Sequence, residues 1–391
     1  MQQPESACFL IADISGYTEY LAGVEIDHAQ DILADLISTV VTSLRPTFRL
    51  SKLEGDAAFC FAPAEKIDGS LLLDTIERCY FGFRRRRRDV RQATSCECNA
   101  CIRIPDLNLK FVAHHGQAIR QKLYGTEELL GADVILVHRL LKNDIVEKLA
   151  VPAYAAFSEK LVQEMAIDPQ ALGMREHAET YEHIGEVKLW VHDLERRWQE
   201  EDARERVRVG PEDAILDLAF DIAAPPQVVW EFLTTPGRRR IWQAIGGVTD
   251  VQENVPKGGR RGVGTVNHCM HGADAMIEEI LDWRPYDYLT DRTTMPHGGP
   301  VFLSTYELEP TATGTRAYLR IGPPKKKADM ATMEQLKPFF AEAITASVGV
   351  LAKEAGVEAA ARSGGSAQPP LPAARNADGF LEGIRPIQIV G

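Results

Sequence analysis

Apolar and polar positions divide the chain into two stretches of different rhythm. In the first, Cys8-Phe9-Leu10-Ile11-Ala12 is a continuous apolar run that stops at Asp13, the pattern of a buried strand, and Ser15-Gly16 then turns into a helix start. Over 19–44, apolar residues at Ile26, Ala29, Ile32, Leu33, Leu36, Ile37 and Val40 have helical spacing. Arg45-Pro46 ends that helix, because proline disfavours helix in the residue before it. Segments 48–53 and 57–61 predict a hairpin with Gly55-Asp56 at its tip. A second helix is expected over 69–92 with Leu72, Leu73, Ile76, Tyr80 and Phe83 as its apolar face. Its last turns carry Arg84 to Arg88, expected as a solvated end suited to the C-terminal dipole, since five successive residues point around the whole helix. Segment 107–113 alternates as a strand, 144–157 reads as a helix or as two pieces around Pro152, and 180–194 predicts a closing strand.

Segment 198–213 is charged, lacks an apolar stripe and contains Gly210-Pro211, which predicts a linker. Beyond it come a strand at 215–222, a short helix at 228–236, and glycine-bounded strands near 248–253, 264–271, 275–283, 288–294, 301–308 and 315–321. An apolar-periodic helix follows over 330–361. This order predicts a sheet wrapped on one long helix. From Ser363 the chain is rich in Gly, Ser, Pro and Ala, so 363–391 is expected to be a disordered tail.

With 391 residues and 45% hydrophobic content, the chain can bury two cores. A net charge of -12 gives no support to nucleic-acid binding, which needs clustered positive charge. No apolar run approaches the ~20 residues of a membrane span, and the N-terminus lacks the basic start and apolar stretch of a signal peptide. A cytoplasmic protein is the expectation, and seven cysteines then fit reduced thiols.

Two features carry candidate chemistry. Asp13 at a strand end and Asp56 at a hairpin tip could share a divalent cation; a hard ion such as Mg²⁺ takes oxygen ligands and keeps part of its shell for substrate phosphates. Cys96, Cys98 and Cys101 could hold zinc if a fourth ligand such as Cys79 or His114 lies near; the alternative is that they are ordinary buried thiols.

The residues around these carboxylates resemble those of class III nucleotidyl cyclases. Phe9-x-x-x-Asp13-Ile14-x-Gly16-Tyr17-Thr18 is similar to the first metal motif, and Lys52-x-x-Gly55-Asp56 to the second. Ala113-His114-His115-Gly116-Gln117 and the block from Gly131 to Leu140 follow in family order, with Arg139 present and Ile135 where the family has an asparagine. The resemblance implies a ferredoxin-like α+β domain over 6–197 that binds ATP or GTP. It implies Mg or Mn on Asp13 and Asp56, base selection by Lys52 with Glu128 as its acidic partner, and Arg139 on the transition state. In the family these groups come from two chains, so a homodimer is implied. Segment 214–362 resembles the helix-grip START-like (SRPBCC) superfamily through its element order, with Trp230-x-x-Leu233-x-x-Pro236 and Trp283-x-Pro285-x-x-Tyr288-Leu289. That resemblance implies an α+β domain enclosing a small apolar ligand, with regulation of the first domain as its role. His268, His271, Asp274 and Glu278 are candidates to line the cavity. Two functions are therefore expected to compete: an active cyclase, and a cyclase-like domain that only binds.

Overall fold

The computed structural model describes residues 3–24, 26–93, 98–123, 126–256 and 259–364. The chain forms two α+β domains that divide between Ala203 and Arg204. In the first, β1 (Glu5–Ser15) is central in its sheet. Cys8, Leu10, Ala12 and Ile14 enter one core while Ala7, Phe9 and Ile11 enter another. Successive strand side chains point to opposite faces, so a strand covered on both reads as an unbroken apolar run. Gly16 follows at φ 86°, and a Cβ there would stand 3.1 Å from the Asp106 carbonyl oxygen.

The chain continues through α1 (Tyr17–Ala22), α2 (Ile26–Leu44), the hairpin β2 (Arg49–Glu54) and β3 (Ala57–Pro63), and α3 (Gly69–Ala93). Helices α2 and α3 cover the first sheet face through Leu36, Val40, Leu72, Ile76 and Phe83. After α4 (Asn99–Ile102), β4 (Asn108–Leu123) pairs with β1 as far as Ala118, and its last residues, from Ile119, pair with β5 (Thr126–Leu130). Helix α5 (Ala132–Leu140) covers the second face through Val134, Val137 and Leu140. Then come α6 (Ile145–Leu149), β6 (Tyr154–Ser158), α7 (Glu159–Glu164), β7 (Arg175–Tyr181), β8 (Gly185–Asp193) and α8 (Leu194–Ala203). The main sheet runs β2-β3-β1-β4-β6-β8-β7.

Segment 144–157 forms two pieces around Pro152, α6 and β6, one of the two expected alternatives. Three segments differ from expectation. The closing strand is the hairpin of β7 and β8. The arginine run is packed rather than solvated. Arg86 is buried against Asp35 of α2, Arg84 meets Glu195 at 2.9 Å, Arg85 lies over the Trp198 ring, and Arg87 donates to the Leu107 carbonyl; Arg88 is exposed beside Asp89. Helix α8 covers Arg84 and Arg85, and its Trp198, expected to open a linker, packs edge-on against Phe81 at 5.4 Å. The next residues belong to the second domain, where Val207 N–H donates to Asp282 and Val209 N–H to Thr305, each at 2.9 Å.

The second domain comprises β9 (Leu216–Ile222), α9 (Pro226–Thr234), α10 (Pro236–Gln243), β10 (Asp250–Asn254), β11 (Val266–His271), β12 (Asp274–Arg284), β13 (Tyr288–Thr294), β14 (Val301–Thr311), β15 (Gly314–Ile321) and α11 (Met330–Gly364). Its antiparallel sheet runs β10-β11-β12-β13-β14-β15-β9. Helix α11 lays Met333, Phe340, Val348, Leu351 and Ala355 on the core, the expected sheet around one long helix. Trp230 of α9 meets Trp283 of β12 edge-on at 4.9 Å. Of the expected tail, only Ser363 and Gly364 are described, as the end of α11. Among the described residues, no helix is long and apolar enough to cross a membrane.

Candidate functional site

Asp13 continues the alternation of Ala7, Phe9 and Ile11, so it lies on the sheet face that α5 covers. Strand register sets it opposite Ala57 on β3, and Asp56 stands one residue before that position, after Gly55 at φ 69°. The two carboxylates are thereby neighbours. Burial pushes the Asp56 carboxyl up to about 6, and the Asp13 charge adds to the rise; a backbone hydrogen bond and Lys110 oppose it. Lys110, opposite Asp13 on β4, places its ammonium 3.1 Å from Asp13 Oδ2. A carboxylate pair short of positive charge is a fit for a divalent cation, and Lys110 is the cation the chain itself supplies.

A second group lines an open cleft of about 560 Å³: Lys52, Glu54, Ile135, His138, Arg139 and Tyr181. Lys52 sits opposite Phe59 and so shares the sheet face of Asp13. Its ammonium is 3.1 Å from Glu54 and 3.9 Å from Glu128 of β5. Ile135 and Arg139, one turn apart on α5, both face the cleft, and the Ile135 side chain is 59% exposed. His138 donates from Nδ1 to the Val134 carbonyl and meets Glu54 at 3.2 Å through Nε2. Asp13 and Asp56 are not among the lining residues.

The Ala113–Gln117 stretch positions α5 rather than touching the cleft. His114 is buried, bonded to Ser158 Oγ at 2.7 Å and to Asp133 at 3.0 Å, and Gln117 N–H donates to Asp133 at 2.7 Å. Burial lowers the His114 imidazole. Burial would raise Asp133, but the hydrogen bonds from His114 and Gln117 outweigh it and hold that carboxyl low. Gly131 precedes α5 at φ 156°, where a Cβ would stand 2.9 Å from the Gln117 carbonyl oxygen.

Of the candidate zinc ligands, Cys96 lies outside the described residues. Cys101 is buried in the core and Cys98 packs beside it. Among the described residues neither joins a group of three metal-ligating side chains, and the suggested fourth ligand His114 is held in the network above.

In the second domain, Arg239 of α10 and Glu278 of β12 pair at 2.6 Å, beside Asp291, Cys269 and Tyr306. Burial, then the Glu278 charge, pushes the Asp291 carboxyl up to about 8. These groups edge a cavity of about 20 Å³, with a separate apolar one of about 10 Å³ between Phe220, Val229, Leu308 and Leu351. Such spaces hold a water and no more. Of the four candidate cavity residues, Glu278 lines the larger space, whereas His268, His271 and Asp274 line neither; His268 alternates outward between Asn267 and Cys269, and Asp274 pairs with His297 at 3.0 Å. Lys110, Glu54, His138 and Tyr181 carried no sequence signal of their own, because each reaches its site through strand register or helix phase.

Residues 33–149 match the family described as "Protein of unknown function (DUF2652)", and residues 214–356 match "Polyketide cyclase / dehydrase and lipid transport". A curated relative, "Uncharacterized protein Rv2561/Rv2562" of Mycobacterium tuberculosis, is 40% identical over 113 residues, which is 29% of this chain. The chain spans about half (52%) of that relative's length. Similar solved structures include the guanylyl cyclase Cya2, with 12% identity, 49% of this chain and 92% of that one covered, and a TM-score of 0.37. The adenylyl cyclase CyaB from P. aeruginosa has 14% identity, 49% and 96% coverage and a TM-score of 0.37. DynU16, from the dynemicin biosynthetic locus, has 23% identity, 37% and 47% coverage and a TM-score of 0.28.

Proposed function

We propose that the N-terminal domain binds ATP or GTP with Mg²⁺ or Mn²⁺ in a site completed by a second copy of the chain, and that a small apolar ligand in the C-terminal domain regulates it. What carries the reading is the grouping of residues on one sheet face: Asp13 with Asp56 in one place, and Lys52 with Glu128, Ile135 and Arg139 in a separate cleft. Neither group alone offers both metal ligands and base and phosphate contacts, whereas two copies face to face bring the missing half to each. Asp13 and Asp56 would hold the metal, releasing Lys110 from Asp13 toward the triphosphate. When bound, the metal ions lower the cost of charge on the attacking and leaving oxygens. Lys52 and Glu128 would read the base, and Arg139 would neutralise the phosphorus-bound oxygens as the ribose 3'-oxygen gives up its proton, bonds to the α-phosphorus and displaces pyrophosphate, which leaves a cyclic nucleotide.

A second reading, nucleotide binding without turnover, is favoured by Ile135. An alkyl group where an amide should donate costs on the order of 3 kcal/mol, about a hundredfold in rate. The test is conversion of ATP and GTP by the purified protein with Mn²⁺, beside Asp56→Ala, with equilibrium nucleotide binding in the same samples. Turnover lost in Asp56→Ala supports the first reading, and binding without turnover supports the second. Absence of binding overturns both. Native mass spectrometry reads the dimer and any retained apolar ligand.

A further inference from the structure

We propose a second, zinc-class metal site in the first domain, formed by Asp144, His177 and Glu179, which clamps the exit of α5 to strand β7. It is independent of the nucleotide reading. His177 and Glu179 stand two apart on β7, so their side chains share a face, and Asp144 immediately precedes α6. His177 is 6% exposed and aims Nε2 at both carboxylates, 2.7 Å from Glu179 Oε1 and 3.3 Å from Asp144 Oδ1. All three ligand atoms lie within 4.8 Å of one another.

The hydrogen bonding is incomplete without a cation. One Nε2 proton serves one carboxylate, and it lies nearer Glu179. Asp144 Oδ1 is then shut off from solvent without a hydrogen bond of its own. Nor is that carboxylate used as a helix cap, although Asp144 occupies the N-cap position of α6. Its other oxygen faces Lys148 at 2.9 Å, and Glu179 Oε1 also accepts from the Asp144 N–H at 2.9 Å. Zinc bonds to imidazole nitrogen and carboxylate oxygen run about 2.0–2.2 Å, which sets tetrahedral ligand atoms about 3.4 Å apart. The 3.3 Å spacing already matches, and the 2.7 Å contact would open by less than an ångström. One nitrogen and two oxygens suit zinc better than magnesium, which rarely takes imidazole. The Asp144 side chain is 43% exposed, which provides an entry path and room for a water as fourth ligand.

The role follows from what adjoins the ligands. Asn143 accepts from Tyr154 OH at 2.8 Å and donates to the Leu140 carbonyl at 2.7 Å, and Tyr181 OH donates to the Lys142 carbonyl at 3.3 Å. A metal here would fasten the end of α5, and with it Arg139, to β7.

The test is zinc uptake by the full chain, by elemental analysis after dialysis and by titration calorimetry, with Co²⁺ as a spectroscopic substitute. The expected result is one equivalent bound, kept when Cys96, Cys98 and Cys101 are all changed to Ser and when Asp13 is changed to Asn. His177→Ala and Glu179→Gln should each weaken it by more than the hundredfold that changes behind the ligands cost. Glu179→Gln is isosteric, so it tests the site even if His177→Ala fails to fold. Cobalt should give visible bands without a thiolate charge-transfer band. No uptake by the wild type, loss in the cysteine variant, or full affinity in Glu179→Gln overturns the proposal.

Discussion

Asp56→Asn tests the paired-carboxylate site without any turnover measurement. Burial first, and then Asp13, raise the Asp56 carboxyl from 3.8 to about 6. Its folded value thus exceeds its unfolded one, and the native state holds a proton that the unfolded chain has released. Stability from this group is fully present below about pH 4, declines as pH rises toward 6, and the whole cost stands above that. A rise from 3.8 to about 6 corresponds to about 3 kcal/mol at 1.36 kcal/mol per pH unit. Asp56 is half-exposed, so solvent screening brings this to about 1 kcal/mol. The variant should therefore unfold in urea about 1 kcal/mol later than wild type at pH 8 and together with it at pH 4. Magnesium at a hundredfold its Kd should add about 2.7 kcal/mol to the wild type and much less to the variant. A variant less stable at pH 8, or equal magnesium stabilisation of both proteins, refutes the reasoning.

Under the proposed cyclase reading, Ile135→Asn supplies an amide donor on an exposed position, so Mn²⁺-dependent turnover should rise about a hundredfold with stability unchanged, read by product formation and a thermal melt. Arg86→Ala strands the buried Asp35 carboxylate and should cost about 3–5 kcal/mol, whereas Arg88→Ala, two residues on, should stay within about 0.5 kcal/mol; urea midpoints compare them. The Asp291 carboxyl, raised to about 8, contributes stability that falls as pH climbs from about 4 to about 8, so Asp291→Asn should flatten that part of the C-terminal domain's pH profile in urea melts.

What could be read from the chain and what could not follow from how each residue meets its partner. Strand β1 announced itself because both faces are covered, and the tip Gly55-Asp56 because it needs a left-handed glycine. The nearness of Asp13 to Asp56 was implied by a resemblance, and strand register delivers it. Lys110 was invisible, since nothing around it in sequence says which strand will lie opposite. The arginine run misled for a related reason: its partners Asp35, Glu195 and Trp198 lie on two other helices, and α8 has no apolar stripe because it packs through ion pairs and one indole. In the second domain the strand order was legible, but the clustering of Arg239 with Glu278 and Asp291 was not, because the first lies on helix α10 and the others on strands β12 and β13.

The end of β4 and its partner β5 form a ribbon in which Leu129 is buried while Ile119 and Leu130 are exposed. The Leu129 side packs on the core, and the opposite side, with Ile119 and Leu130, is a face a neighbour could cover. If that neighbour is another copy, dilution should loosen the arm before either chain unfolds. Glu128 rides on the arm whereas Asp13 and Asp56 do not, so under the proposed nucleotide reading the choice between adenine and guanine should blur first as protein concentration falls, while affinity for the divalent ion persists.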